Sequence, residues 1–192
     1  MRYKGHTDVA LSPEGEDEIR VLGERLKALN GRIGAIYSSD LSRAMKTAEI
    51  LGRFIGVQPE PVVELRERNF GRWEGMSFKE IEKVYPVEFN RWKADPLRYS
   101  PPGGESTEDV AQRVTRALEQ IIIRHRGEQI MIVAHGGVNR IVLCHFMGIP
   151  MSNIFRIEQD YGCLNIIDIF EDGFPVVRLL NGNFINPGGY HD

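Results

Sequence analysis

Nothing in this 192-residue sequence is arranged to staple the chain, cross a bilayer or hold a polyanion. It has only two cysteines, Cys144 and Cys163, too far apart for a CxxC pair and too few for a secreted disulfide framework. That pattern points to reduced thiols and an intracellular setting. No apolar run approaches the roughly 18 residues needed to span a membrane. Met1-Arg2-Tyr3-Lys4 is not followed by a signal-type apolar core, so a cytoplasmic location and no membrane partner are expected. The formal net charge is only −3, with acids and bases interleaved, so no basic stripe argues for a nucleic-acid partner. No pair of histidines has metal-ligand spacing, and neither metal nor cofactor is expected. His6, His145 and His191 are given no role, His145 being read as a packed residue of an apolar helix. Repeats, low-complexity tracts and linkers are absent, which leaves one domain over residues 1–192. A hydrophobic share of 42% is enough for a chain of this length to bury a core without staples.

What is present is strand alternating with helix. Ser12 and Pro13 open a helix whose apolar stripe is Ile19, Leu22, Leu26 and Leu29, ending at Asn30-Gly31. Ala35 to Tyr37 is a short strand tip running into Ser38-Ser39. Asp40 is placed to cap the next helix, with Leu41, Ala44, Ala48, Leu51 and Ile55 on its core face. Pro61 to Leu65 reads as extended and Lys79 to Trp92 as helical with a break at Pro86. Asp95 to Ser106 is a loop, and Thr107 to His125 is a long amphipathic helix with Thr107 as cap. Ile130 to Val138, IMIVAHGGV, is an apolar strand, a histidine, two glycines and the start of a further helix. The unbroken apolar run suggests a strand covered on both faces. Cys163–Phe170 and Val176–Leu180 form a hairpin through Glu171-Asp172-Gly173. Its strands are suited to pair across a twofold axis, so a homodimer is one expected assembly. The alternation predicts a three-layer α/β/α sandwich with a mostly parallel sheet.

Ligands of such sheets bind beyond the carboxyl ends of the strands. Three polar residues stand at successive strand ends. His135 precedes Gly136-Gly137 and a helix amino terminus whose free amides attract an anion. Arg43 lies in the first turn of the helix after Ser38-Ser39. Glu67 lies in a loop, Glu64 to Gly75, that contains Trp73 and two glycines. A histidine, an arginine and a carboxylate together suit a phosphoryl group and its proton transfers.

The blocks Arg2-Tyr3-Lys4-Gly5-His6-Thr7-Asp8 with Leu11-Ser12-Pro13-Glu14-Gly15, Ser38-Ser39-Asp40-Leu41-Ser42-Arg43-Ala44, Leu65-Arg66-Glu67 with Phe70-Gly71-Arg72-Trp73-Glu74-Gly75, Pro101-Pro102-Gly103-Gly104-Glu105-Ser106 and Ala134-His135-Gly136-Gly137 occur in this order. Together they resemble the histidine phosphatase superfamily, whose fold is phosphoglycerate mutase-like. The resemblance implies a metal-independent phosphomonoesterase that passes through a phosphohistidine and acts on a small-molecule phosphate ester. It implies Glu67 as general acid, Arg43 as phosphate clamp and His135 as the second pocket histidine, with Gly136 beside it. Glu105 and Ser106 either line the pocket mouth and bind substrate or simply lead into a helix. The segment Phe155 to Ile167 is similar to the closing segment of α-ribazole phosphatases of cobalamin synthesis. The 68 positions between Glu67 and His135 (135 minus 67) are short for a cofactor-dependent mutase of the family, which favours phosphatase over mutase.

One departure stands out. The family's nucleophile belongs to an Arg-His-Gly motif ending a first strand, upstream of the Arg2 block, and no such motif is in this sequence. The lookalike Arg124-His125-Arg126-Gly127 falls before a strand rather than after one and is rejected. In this fold the first strand lies beside the one ending at His135, so the sheet is expected to lack a central strand. Each buried unpaired backbone group costs about 1 to 3 kcal/mol, against a domain stability of about 5 to 15 kcal/mol. The expectation is therefore that Met1 is an internal methionine and that the domain is truncated at its amino end. The alternatives are a mutase-type phosphotransferase and a non-catalytic phosphate-binding pseudoenzyme.

Overall fold

The computed structural model describes residues 2–28 and 32–184. Helix α1 (Pro13–Ala28) begins as its sequence dictates, with the Ser12 hydroxyl accepting from the Gly15 amide at 3.1 Å and Pro13 at the first helical position. The expected stop at Asn30-Gly31, like Leu29, lies outside the described residues. There follow β1 (Ile33–Ser38), α2 (Ser42–Ile55), β2 (Pro59–Pro61), α3 (Phe78–Val84), α4 (Pro86–Ala94), α5 (Thr107–Arg124), β3 (Gln129–Val133), α6 (Gly136–Met147), β4 (Leu164–Ile169) and β5 (Pro175–Gly182).

Pro86 separates α3 from α4 as expected, because its ring cannot continue a helix but suits a first turn. Other boundaries differ from the sequence reading. Ser106, not Thr107, caps α5: its hydroxyl accepts from the Asp109 amide while the Asp109 carboxylate accepts from Ser106, a reciprocal box that Thr107 cannot make one residue later. Asp40 does not cap α2, whose N-cap is Leu41 with no side-chain bond. Its carboxylate instead takes the Arg66 guanidinium, Nε to Oδ1 at 2.6 Å, which holds the carboxyl below its ordinary range. The extended stretch is shorter than Pro61–Leu65 suggests, because the chain tightens into a 3-10 turn at Val63–Leu65.

Strand β1 pairs in parallel with β2 on one side and β3 on the other. Side chains alternate between faces, as the strand period requires. Ile36, Met131 and Val133 meet α1 and α2 around Ile19, Leu22, Ala44, Ala48 and Leu51, whereas Tyr37, Ile130 and Ile132 face Leu65 and Ile121 of the α5 side. Helices thus cover both faces, giving the three-layer sandwich. The hairpin β4–β5 is antiparallel and separate. Among the described residues β3 has no strand on its second edge and β4 pairs only with β5. Ile132 and Ile167 nevertheless pack against one cluster, built on Val114, Leu118, Val138 and Ile141, so the two open edges share a core. Ile130, Met131 and Ile132 are accordingly half-buried, not sealed on both faces as the apolar run suggested.

A satellite cluster supports the 64–75 loop. Trp73, only 3% exposed, stacks on Tyr99 and meets Trp92 edge-on, with Ile81 and Phe89 beneath. This anchors a segment that has little regular structure of its own.

Candidate active site

The site lies beyond the carboxyl ends of β1 and β3. Strand β3 delivers His135, 8% exposed, as the N-cap of α6. Its Nε2 is 2.8 Å from the hydroxyl of Ser39, a fully buried residue at the tip of β1. Burial, aided by the positive charges of Arg43 and Arg113 and by His6, pushes the His135 pKa down to about 3. The ring is therefore neutral at physiological pH.

The α6 amino terminus is occupied by a carboxyl group of the chain itself. Glu67 Oε2 accepts from the Gly137 amide at 3.0 Å, and Oε1 accepts from the Arg68 amide at 2.8 Å. The reason for Gly137 is steric rather than torsional. A Cβ there would stand 2.4 Å from Glu67 Oε1, while φ is not in the left-handed region. Gly136 is unconstrained, since its Cβ would meet only Arg140 Nη1 at 3.5 Å. His135 and Glu67 are thus brought together by one backbone bond, made between Glu67 and Gly137 across 70 positions of sequence.

Arg43 lies in the first turn of α2, and two of its N–H groups are committed: Nη2 to the Gly5 carbonyl at 2.8 Å and Nη1 to the Thr7 carbonyl at 3.1 Å. A guanidinium has five donors, so the others remain for a ligand. Glu74 grips the same loop from the other side, accepting from the amides of His6 at 2.7 Å and Thr7 at 2.6 Å.

Glu105 and Ser106 have structural partners. Ser106 spends its hydroxyl on the α5 cap, which accounts for it as a helix-leading residue. Glu105 receives Arg113, Nε to Oε1 at 2.8 Å and Nη2 to Oε2 at 2.9 Å, and the Asn69 amide at 2.9 Å. Burial opposes its charge, but these donors win and hold its pKa below the usual range.

Three residues escaped the sequence reading. Arg113 of α5 binds Glu105 and the backbone carbonyls of Glu64, Arg66 and Glu67, fixing the loop that carries Glu67. Arg68 is almost buried and donates to the carbonyls of Glu105 and Tyr99, which ties the same loop to 99–105. His6 sits at the site beside Glu105. Arginines on a helix or in a polar loop carry no sequence mark of such roles, since the partners are mostly backbone carbonyls. His145 is corrected as well: it is exposed in the last turn of α6, where a basic side chain suits the helix dipole. His191 lies outside the described residues. The rejected His125 caps α5, with Nδ1 2.7 Å from Glu128 and Nε2 2.8 Å from the Tyr37 hydroxyl, at the entry of β3 and away from His135.

The fold is shared with known proteins. Among solved structures, YhfR of Bacillus stearothermophilus superposes with a TM-score of 0.86 at 32% identity, covering 96% of this chain and 91% of that one. The α-ribazole phosphatase of Shigella flexneri gives 0.86 at 26% identity, covering 96% and 90%. Phosphoserine phosphatase 1 of Hydrogenobacter thermophilus is 28% identical over 178 residues, 93% of this chain and 83% of its own length. A bifunctional protein of Mycobacterium tuberculosis is 32% identical over 180 residues, and this chain spans only 49% of that protein. The profile of the histidine phosphatase superfamily (branch 1) matches residues 1–182, and the chain belongs to that family.

Proposed function

We propose that this chain is the phosphate-handling body of a metal-independent phosphomonoesterase, with Arg43 and His135 holding the phosphoryl oxygens and Glu67 as the proton carrier. The observation that supports it best is the Glu67–Gly137 bond, which sets a carboxyl group beside the pocket histidine at a helix amino terminus. The attacking histidine comes, on this reading, from a further strand ending in Arg-His-Gly that pairs with the open edges of β3 and β4. Its imidazole nitrogen bonds to phosphorus while the ester P–O bond breaks, and the leaving oxygen takes the Glu67 proton. Water then gives a proton to Glu67 and attacks phosphorus, releasing phosphate and free histidine. Arg43 and His135 stabilise the equatorial oxygens in both steps.

A small ester is the substrate class we favour, and α-ribazole 5'-phosphate is one candidate, supported by the likeness to the Shigella flexneri enzyme. The test is hydrolysis of an aryl phosphate. The 192-residue chain is expected to bind inorganic phosphate without turnover, and a form extended upstream by the in-frame strand is expected to turn over and to form an acid-labile phosphoenzyme. Turnover by the 192-residue chain that is abolished in His135→Ala would show that another group attacks. An in-frame stop just upstream of the Met1 codon would leave the pseudoenzyme reading in its place.

A further inference from the structure

The loop Gly5–Thr7 is held on both sides, by Arg43 on its carbonyls and by Glu74 on its amides. Gly5 is needed for that closeness: its φ is +44° and an added Cβ would stand 2.3 Å from Glu74 Oε1. Such bracing fixes the backbone that carries His6. Its Nε2 is buried yet has no hydrogen-bond partner among the described residues. It lies 3.9 Å from Glu105 Oε2, beyond hydrogen-bond reach but within reach of one shared atom. An oxygen about 2.8 Å from each would subtend an angle of roughly 90° between them, acceptable for a hydroxyl that donates to one and accepts from the other.

The remaining charges narrow the ligand. Glu105 is itself fixed by Arg113 and Asn69, so it cannot turn away, and Glu67 is pinned by the Arg68 and Gly137 amides. A carboxylate arriving at His6 would face the Glu105 carboxylate, whereas a neutral hydroxyl satisfies both groups. Arg43 bonds the carbonyls on either side of His6, which puts this pair of groups beside the proposed phosphate clamp, where the alcohol portion of a bound ester would lie.

We propose that His6 and Glu105 together read a hydroxyl on the alcohol portion of the substrate, selecting polyol or sugar phosphates over carboxylate-bearing esters. This rests on the phosphomonoester reading of the site and names its substrate class.

Calorimetric titration of the 192-residue chain with inorganic phosphate, methyl phosphate, ribose 5-phosphate and 3-phosphoglycerate tests it. Ribose 5-phosphate is expected to bind at least tenfold more tightly than methyl phosphate and 3-phosphoglycerate, a difference of about 1.4 kcal/mol or more. His6→Ala is expected to erase that advantage, with inorganic phosphate affinity within about twofold and an unchanged melting temperature; His6→Gln, which restores a donor at similar reach, should recover part of it. Equal binding of methyl phosphate and ribose 5-phosphate by the wild type overturns the proposal. So does a His6→Ala variant that loses inorganic phosphate and the sugar phosphate alike. Failure of the underlying reading looks different: inorganic phosphate then does not bind the wild type at all.

Discussion

Strand β3 has a histidine at each end, and the two have opposite fates. His125, at the entry, is fully partnered by Tyr37 and Glu128 and does no more than close α5. The side chain of His135, at the exit, has no carboxylate hydrogen-bond partner, is buried near Arg43 and Arg113 and is bonded to a buried serine hydroxyl. The residue type is the same and the separation is one strand. The difference comes from parallel packing, which gathers the helix amino termini and the loops of Arg43 and Glu67 at the carboxyl end of the sheet and leaves the other end to turns.

The largest consequence is in pH dependence. A histidine whose pKa falls from about 6.5 when unfolded to about 3 when folded binds fewer protons in the native state across that window. The stability due to its neutral burial is complete above pH 6.5 and is lost as pH falls toward 3, on the order of 3 kcal/mol between pH 7 and pH 4. Urea unfolding at both pH values measures this, and His135→Gln is expected to flatten that part of the slope. A profile identical in the two proteins would remove the contrast between the ends of β3.

The next effect separates the two glycines after His135. Gly137→Ala drives a methyl group against the end of the Glu67 side chain, which must swing off the Gly137 amide, and is expected to destabilise by about 0.5 to 1.5 kcal/mol for the lost hydrogen bond. Gly136→Ala, with open space around it, is expected to be neutral within about 0.5 kcal/mol. Equal effects in denaturant titration would mean that Glu67 does not sit against the α6 amide.

The ends of β3 are compared directly by truncation. His135→Ala is expected to weaken inorganic phosphate binding at least tenfold, about 1.4 kcal/mol or more. His125→Ala should leave that affinity unchanged while costing about 1 kcal/mol of stability for its lost bonds. Phosphate titration and thermal melting of both variants decide the matter.

Much of this was legible beforehand for a simple reason. Helix α5, the break at Pro86, the β4–β5 hairpin and the strand–His–Gly-Gly–helix sequence are local patterns whose periodicity or turn chemistry survives in one dimension. Arg43, Glu67 and His135 were readable because each stands just beyond a strand end, and parallel strands bring such ends together. The capping errors at Asp40 and Thr107 have a different origin. Asp40 was drawn to Arg66, and Ser106 outcompeted its neighbour because Asp109 stands at the reciprocal position. His6 was passed over because nothing in its neighbours along the chain shows that Arg43 and Glu74 will hold it from two sides.

The sequence by itself determined the alternation of strands and helices, the family and the placing of Arg43, Glu67 and His135 beyond strand ends, because each is recorded in short segments whose physics is local. Tertiary structure alone decided that the α6 amino terminus is occupied by Glu67, that Arg113 and Arg68 brace the loops, and that His6 faces Glu105. Those facts depend on atoms tens of residues apart meeting within about 3 to 4 Å, and no pattern along the chain encodes such a distance.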